Sequence, residues 1–156
     1  MRAEMIQIIT GLLGTLGFSI LFNIKGKRLL AATFGGFLSW TAFLLLAPVI
    51  ESEPIRYFWV SVLISFYAEM IARVLKTPTT TVLMAALVPL VPGGSLYYTM
   101  AYALGSDLEK FVTKAMSTLK LAGALALGIV ITTMVMRAIY ATRTIRDKKE
   151  IHNGND

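Results

Sequence analysis

The sequence predicts an all-α integral membrane protein with about five transmembrane helices, one of them broken at a PxxPGG element, and a short amphipathic helix. Three observations support this fold class. The 156 residues are 56% hydrophobic and only 15% charged, with a mean hydropathy of +0.68, whereas soluble domains carry about 25% charged residues. Several apolar stretches have the length of roughly 20 residues that crosses the hydrocarbon core. Basic residues gather in the short segments between these stretches, as topology signals do.

The apolar stretches are interpreted as the spans of one polytopic membrane domain, residues 1–140. They cover residues 5–24, 29–48, 57–75, 79–104 and 119–140. The run KGKR separates the first two spans and predicts a tight basic turn. Because the basic cluster follows the first apolar stretch and no small-residue cleavage site separates them, that stretch is expected to be a retained anchor. Residues 141–156 are expected to form a polar tail.

The distribution of basic residues predicts the orientation of the protein. With five spans, five Lys and Arg side chains lie on the side of the amino terminus and ten lie on the other side. Cytoplasmic loops carry the excess of Lys and Arg in membrane proteins. The tail is therefore expected in the cytoplasm.

Composition also argues against several classes of function. The chain has no cysteine, and its single histidine, His152, lies in the polar tail, so no disulfide, metal site or cofactor is expected. The net charge of +6 is explained by topology, and no stretch between the spans is long enough for a domain that binds nucleic acid. The motifs H-E-x-x-H and G-x-S-x-G are absent. We therefore expect no catalytic residues and no enzyme.

Small residues recur four apart in three of the spans, and such stripes let helix backbones approach closely in lipid. Glycine and alanine are common in membrane helices, so a single stripe has little meaning. Three stripes together favour a compact bundle: Gly11, Thr15 and Ser19; Ala32 and Gly36, with Gly35 and Ser39 beside them; and Ala124, Gly128 and Thr132.

Residues 106–118, before the last span, are predicted to form the amphipathic helix. Ser106 and Glu109 have the S-x-x-E spacing of a capping box, and apolar residues recur at helical spacing opposite Lys110 and Lys114. Three placements stay open. The helix could lie flat in the headgroup layer, dock onto a partner protein, or extend the last span.

The segment AEMIARVLKTP places three ionisable residues, Glu69, Arg73 and Lys76, near hydrocarbon. Glu69 and Arg73 are four apart and share a helix face. An unpaired carboxylate at membrane depth costs on the order of 2.5 kcal/mol or more, so Glu69 is expected to face protein or a wet cavity. One hypothesis is a substrate-binding or proton-coupling site. The alternative is that Arg73 and Lys76 mark the cytoplasmic edge and that Glu69 is their structural counter-ion.

The stretch PLVPGGSLYY, residues 89–98, interrupts the fourth span. Its two prolines remove backbone donors, and its two glycines permit conformations closed to other residues. Ser95 can cap a new helix, in which Tyr98 and Tyr102 share a face. Broken helices of this kind hold substrates in secondary transporters, whereas a proline kink can also serve packing alone. The candidate substrate contacts are Pro92, Gly93, Gly94, Ser95, Tyr97 and Tyr98.

The run AEMIARVLKTPTTTVLMAALVPLVPGGSLYYTM, together with GFSILFN in the first span, resembles the threonine/serine exporter family and its YjjB-like small membrane component. The resemblance extends from Gly17 to Tyr102. The AE..AR..K.P pattern and the PLVPG element carry it. A departure is Gly94, where the family pattern is expected to vary.

The resemblance implies a subunit of a secondary transporter in a bacterial or archaeal cytoplasmic membrane. Its implied substrates are small carboxylate-bearing metabolites, namely threonine and serine or a dicarboxylate such as succinate, exported with the proton motive force. The implied partner is a larger membrane subunit of the same family, and the chain itself could form an oligomer. The alternative is a scaffold or regulatory subunit that does not transport.

Overall fold

The computed structural model describes residues 2–105 and 107–153, with side chains at residues 4–105 and 107–140. These residues form six α-helices and one 3₁₀ turn, without strands. The helices are α1 (Arg2–Leu21), α2 (Lys27–Leu45), α3 (Glu53–Val74), α4 (Thr79–Ala86), α5 (Gly93–Leu104) and α6 (Leu108–Asn153), and the 3₁₀ turn is Val88–Leu90. Four helices of this part of the chain are long and apolar enough to cross a membrane, and α4 with residues Val88–Leu104, bent by 45°, makes up to five if this pair is one span. The predicted fold class is confirmed.

Helices α1 and α3 end in the same type of turn. Asn23 and Lys76 follow the two helices with φ of 56° and 47°, and the next residue donates its N–H back to Ser19 O at 3.0 Å or to Ala72 O at 2.9 Å. This is the Schellman pattern, which satisfies the last carbonyl groups of a helix. Each turn reverses the chain within a few residues, so consecutive helices lie side by side.

Helix α3 lies at the centre, in contact with α2, α4 and α6. Its residues Val60, Ile64 and Ala68 have no exposed surface, and they belong to one core cluster with Val82 and Leu90. Burial of each large apolar side chain in a water-soluble core would contribute about 1.5–3 kcal/mol. In lipid, close packing has to supply the stability instead.

The small-residue stripes form this close packing. A Cβ atom on Gly36 would overlap the side chain of Thr15, and a Cβ atom on Gly128 would overlap the Ser61 hydroxyl. On Gly35 it would lie 2.7 Å from Ala86 Cβ, which real Cβ atoms essentially never show. These glycines set the contacts of α2 with α1 and α4, and of α6 with α3.

Helices α3 and α6 run parallel. Gly128 lies against Phe58 and Ser61, and twelve residues later Tyr140 lies against Arg73. Residues 108–120 of α6 consequently extend past the start of α3 by about 20 Å at 1.5 Å per residue. Helix α5 packs beside this extension. We call α5 and residues 108–118 the hairpin, and α1–α4 with residues 119–140 the bundle.

The predicted amphipathic segment continues into the last span within α6, which is the third of its possible placements. Ser106 lies outside the described residues. Asp107 caps α6, because its Oδ1 accepts the Lys110 backbone N–H at 3.2 Å and its Oδ2 accepts Lys110 Nζ at 2.8 Å. The backbone of α6 runs on to Asn153, while the side chains of the predicted tail, including His152, are outside the described residues.

Candidate functional site

Glu69 and Arg73 meet on the last two turns of α3, as their spacing predicts. Arg73 Nη2 lies 3.4 Å from Glu69 Oε2. Glu69 is only 8% exposed, while the Arg73 side chain is 41% exposed. The carboxylate therefore faces protein, and its cationic partner reaches toward the end of the bundle.

Arg73 is held by an aromatic ring as well as by the carboxylate. Its guanidinium carbon lies 3.1 Å from the centroid of the Tyr140 ring of α6. Cations over an aromatic face gain about 0.5–2 kcal/mol, more when they are desolvated. The pairing with Glu69 uses one nitrogen, so the remaining guanidinium donors have no hydrogen-bond partner within the described part of the chain. They are geometrically able to bind a carboxylate with two hydrogen bonds.

Lys76 does not join this pair. It is exposed in the turn after α3, and no ion pair connects it to Glu69 within residues 4–105 and 107–140. Its φ of 47° is unusual for a residue with a side chain. In the structure Lys76 therefore belongs to the turn that ends α3, and its charge lies at that end of the bundle.

The break lies where the prolines predict it, but its new helix begins earlier than expected. Pro92 is the N-cap residue with φ −74° and ψ 57°, and α5 starts at Gly93. The prediction that Ser95 caps this helix is wrong, because Ser95 lies within the first turn, where its carbonyl accepts the Thr99 hydroxyl at 2.7 Å. Pro89, in the 3₁₀ turn directly after α4, cannot continue that helix because it has no N–H, and Pro92 then fixes how the chain enters α5.

Gly93 and Gly94 border open space, since a Cβ atom on either would meet nothing within 4 Å. Neither has a positive φ. The backbone at Gly93 and Gly94 therefore does not need glycine for its conformation. Both residues are exposed on the surface of the described part of the chain.

The tyrosines of α5 form an exposed face with two lysines of α6. The Tyr98 and Tyr102 rings are stacked with centroids 6.4 Å apart, which confirms that they share a face. Lys114 Nζ lies 6.0 Å from the Tyr98 ring, and Lys110 Nζ lies 5.9 Å from the Tyr102 ring. Tyr97 is 68% exposed, with its ring against that of Tyr98.

The structure does not bring the two groups of predicted site residues together. The 3₁₀ turn of the break lies beside Trp40 and beside Gly11, which is at the middle of α1. Glu69 and Arg73 lie on the last two turns of α3. The eight residues of α4, about 12 Å long at 1.5 Å per residue, separate the two groups.

Tyr140 is a site residue that the sequence reasoning missed. It lies 67 positions from Arg73 in the chain, so no local pattern connects the two. The available signal was its place at the end of the last span, because tyrosines at span ends anchor in the interface beside basic residues.

The described residues contain no group of three or more His, Cys, Asp or Glu side chains that could hold a metal ion.

Comparison with known proteins identifies one family. The sequence model described as "Threonine/Serine exporter, ThrE" matches residues 7–135, which include all of α2–α5 and both groups of predicted site residues. No curated protein and no solved structure matches the chain. The family resemblance found in the sequence is confirmed.

Proposed function

Since the chain belongs to the threonine/serine exporter family, we propose that it is a subunit of a secondary transporter that exports small carboxylate-bearing metabolites. The candidates are threonine and serine, or a dicarboxylate such as succinate. It works with a larger membrane subunit of the same family and draws on the proton motive force. The membrane is the bacterial or archaeal cytoplasmic membrane, with the end of α6 in the cytoplasm.

The geometry of Arg73 is the observation that carries this proposal. One nitrogen pairs with Glu69 at 3.4 Å, and the Tyr140 ring covers one face of the guanidinium. The remaining planar donors match a carboxylate, which guanidinium groups bind with two parallel hydrogen bonds. Arg73 is the residue that binds the substrate carboxylate in this proposal.

Glu69 supplies the coupling step. Its ionised carboxylate attracts the ammonium group of an amino acid whose carboxylate is bound to Arg73. A proton on Glu69 neutralises that carboxylate and removes the attraction. Because a proton and the substrate ammonium compete for the same oxygen atoms, inward movement of a proton is linked to outward movement of substrate. A dicarboxylate has no ammonium group and would use Arg73 alone.

The break has a separate part in the proposal, away from Glu69 and Arg73. Pro92, Gly93, Gly94 and Ser95 form the first turn of α5. Pro92 has no N–H and the Gly93 N–H donates to Val91 O at 2.7 Å, so the donors that this helix start can offer are the N–H groups of Gly94 and Ser95. We assign the carboxylate contact on the release side to this turn, with Tyr97 and Tyr98 beside it. Lys76 contributes positive charge on the entry side.

A second candidate function is a scaffold or regulatory subunit that does not transport. The exposed hairpin favours it, because α5 has no buried residue in the structure and its outward faces offer a surface to a partner protein. In that case the pair of Glu69 and Arg73 only orients α3 against α6. The two functions differ in what a charge substitution does to export.

The test is efflux of threonine, serine and succinate from cells that lack the chain and receive it together with the larger subunit. Glu69→Gln should abolish the dependence of amino-acid efflux on the proton gradient. Arg73→Lys keeps the charge and loses the planar fork, so the KM for substrate should rise about tenfold, which corresponds to about 1.4 kcal/mol.

Asp107→Asn is the matched control, since it removes a carboxylate from another ion pair, at the exposed start of α6. All variants have to reach the membrane and bind the larger subunit at wild-type levels. Unchanged efflux and unchanged gradient dependence in both Glu69→Gln and Arg73→Lys would support the scaffold instead.

A further inference from the structure

Helices α3 and α6 meet along two matching rows of residues. Gly128 of α6 packs against Ser61 of α3, and Tyr140 of α6 lies over Arg73 of α3. Each contact joins two positions that are 67 apart in the chain. Because residues four apart share a helix face, the two helices keep one register over the three turns between these contacts.

Ser65 and Thr132 hold corresponding positions in this register, one turn beyond Ser61 and Gly128. Ser65 is 1% exposed and Thr132 is 7% exposed. Their hydroxyl oxygens are buried, and neither has a hydrogen-bond partner among the described residues. The neighbouring Ser61 hydroxyl, in contrast, donates to the Phe58 carbonyl at 2.8 Å. Two buried hydroxyl groups that lack a partner are therefore directed into the same seam.

A water molecule is the partner that suits such a pair of hydroxyl groups. A buried hydroxyl without a hydrogen bond is costly, and buried waters typically bond to about three polar groups that would otherwise be unsatisfied. With two hydrogen bonds of about 2.8 Å, one water joins oxygen atoms that are about 5.6 Å apart. A hydroxyl group both donates and accepts, so a water between two of them can give up a proton and regain one.

Glu69 is the next polar residue along this face of α3. It is buried and lies four residues beyond Ser65, a rise of about 6 Å, and its Cα–Cβ bond tilts back toward the Ser65 turn. In this register the position of α6 opposite Glu69 is the buried, apolar Met136. Arg73 lies on the far side of the carboxylate, so the polar groups of the seam on its near side are the hydroxyls of Ser65 and Thr132.

Thr132 also connects the seam with the outside of the chain. It lines a groove of about 750 Å³ between α3, α6 and the segment that joins α2 to α3, and of the described residues around this groove it alone carries a hydroxyl group. The groove extends to Ile50 in that segment, at the end of the bundle where α3 begins. In the proposed orientation this end faces outward, the side from which the gradient drives protons inward.

We propose that Ser65 and Thr132 bind a buried water in the seam between α3 and α6, and that this water exchanges the coupling proton with Glu69. The water gives a proton to a carboxylate oxygen of Glu69 and regains one from the Thr132 hydroxyl, which in turn accepts a proton from the groove side. The net change is one proton moved onto the carboxylate, and no bond between heavy atoms forms or breaks. Ser65 positions the water. The inference rests on the proposed function, for which it supplies the proton route.

The test separates net efflux from substrate exchange in vesicles that contain the complex with the larger subunit. Net efflux of threonine driven by a pH gradient needs a proton on Glu69 in each cycle. Exchange of labelled for unlabelled threonine without a gradient needs none, because one substrate molecule replaces another at the same site. Loss of the relay should therefore slow net efflux and leave exchange intact, whereas a damaged structure would slow both.

Ser65→Ala and Thr132→Val each remove one of the two hydroxyl groups. Each should lower the maximal rate of net efflux about 10- to 100-fold at unchanged KM, near the lower end of what a positioned proton-transfer group contributes. Thr132→Ser keeps a hydroxyl group and should transport as wild type. The controls are Ser39→Ala and Thr15→Val, whose buried hydroxyls already donate to a carbonyl of their own helix, at 2.8 Å in each case. Both controls should export and exchange as wild type.

Thermal unfolding of the purified complex tests the water site without transport. If one water joins the two hydroxyl groups, the double variant Ser65→Ala/Thr132→Val should lose less in Tm than the sum of the two single variants, since residues with a shared partner are not additive. Ser65→Ala combined with Thr15→Val on α1 should be additive.

Several results would overturn the relay: unchanged net efflux in Ser65→Ala and Thr132→Val, equal loss of net efflux and exchange, or wild-type efflux that follows a sodium gradient instead of a pH gradient. Additive losses of Tm in Ser65→Ala/Thr132→Val would overturn the shared water. If wild type neither exports nor exchanges threonine while these losses are not additive, the water site stands and the export function is overturned.

Discussion

The bundle and the hairpin bury their residues to very different extents. Helix α3 of the bundle has eight buried residues, among them Val60, Ile64 and Ala68 without exposed surface. Helix α5 of the hairpin has none. Its Leu104 is 87% exposed, and Leu108 at the start of α6 is 76% exposed.

This difference separates what the chain specifies by itself from what it leaves to its surroundings. The helices of the bundle pack against one another where glycines meet small hydroxyl side chains. At Gly36 and Gly128 these neighbours leave no room for a Cβ atom. The hairpin has one packed side, where the Thr99 and Thr118 hydroxyls lie 3.1 Å apart. Its remaining apolar sides face outward, where lipid or another protein can cover them.

The largest effect is expected from filling the seam between α3 and α6. Gly128→Ala places a Cβ atom into the Ser61 hydroxyl and 2.8 Å from the Phe58 carbonyl. Overpacking of this kind typically costs about 1–3 kcal/mol, and a backbone neighbour cannot move aside easily. Thermal unfolding in detergent measures the loss. Gly123→Ala on the same helix, which meets nothing within 4 Å, should unfold as wild type, and equal behaviour of the two variants would show that the seam is not tightly packed.

The second effect concerns charge inside the bundle. Glu69→Gln and Arg73→Gln should each destabilise by about 1–2 kcal/mol, less than the 3–5 kcal/mol of a fully buried pair, because Arg73 is 41% exposed. The double variant should lose less than the sum of the two single variants. Thermal unfolding in detergent measures the stability of the two single variants and of the double variant. Strictly additive losses would mean that the two charges do not stabilise each other.

A third prediction tests the hairpin as an association surface. Leu104→Gln should leave thermal unfolding of the bundle unchanged but weaken association with the larger subunit by about 1 kcal/mol, the usual threshold for an interface residue that matters. Leu30→Gln is the control, as Leu30 of α2 is 72% exposed and far from the hairpin. Quantitative co-purification compares them. If both variants retain the larger subunit equally, association does not use this end of α5.

The smallest effect is a dependence on pH at the start of α6. The Lys110 side chain and then its backbone N–H hold the pKa of Asp107 below its usual range. A carboxylate with a depressed pKa stabilises the folded state above its unfolded pKa, about 3.9, and loses that contribution as the pH falls through the lower folded value. The protection factors of the amides at residues 107–113, which are corrected for the pH dependence of intrinsic exchange, should therefore fall in acid. Asp107→Asn should remove this fall, and an identical response in both proteins would rule out the cap as its source.

Much of the fold could be predicted because lipid imposes simple rules. Span length, basic turns and stripes of small residues are local patterns, and the structure uses each of them in α1, α2, α3 and α6. The pair of Glu69 and Arg73 could be predicted for the same reason, since residues four apart on a helix are neighbours.

The rest depends on contacts between distant positions. The predicted order of five spans makes the third and the fifth run in the same direction, as α3 and α6 do, but it does not specify that these two helices are neighbours and that Tyr140 reaches Arg73. The position of the break along the bundle depends on where α4 starts and on the 45° bend after it. Sequence periodicity identifies faces of helices, but it does not identify their partners.

Helix α6 connects the two ends of the protein and can act as a lever. Its Thr118 contacts α5, and its Tyr140 contacts Arg73 of α3. Between these two contacts, Gly128 packs closely against α3, so this seam is the point about which α6 can tilt. Tyr140 lies twelve residues beyond the pivot, about 18 Å along the axis. If the hairpin is pulled sideways and α6 tilts by about 5°, the Tyr140 ring moves by about 1.6 Å, taking 1.5 Å per residue for the lever arm. A movement of that size would change the contact between the ring and the guanidinium, so a displacement of the hairpin at one end of α6 would be felt beside the ion pair near its other end.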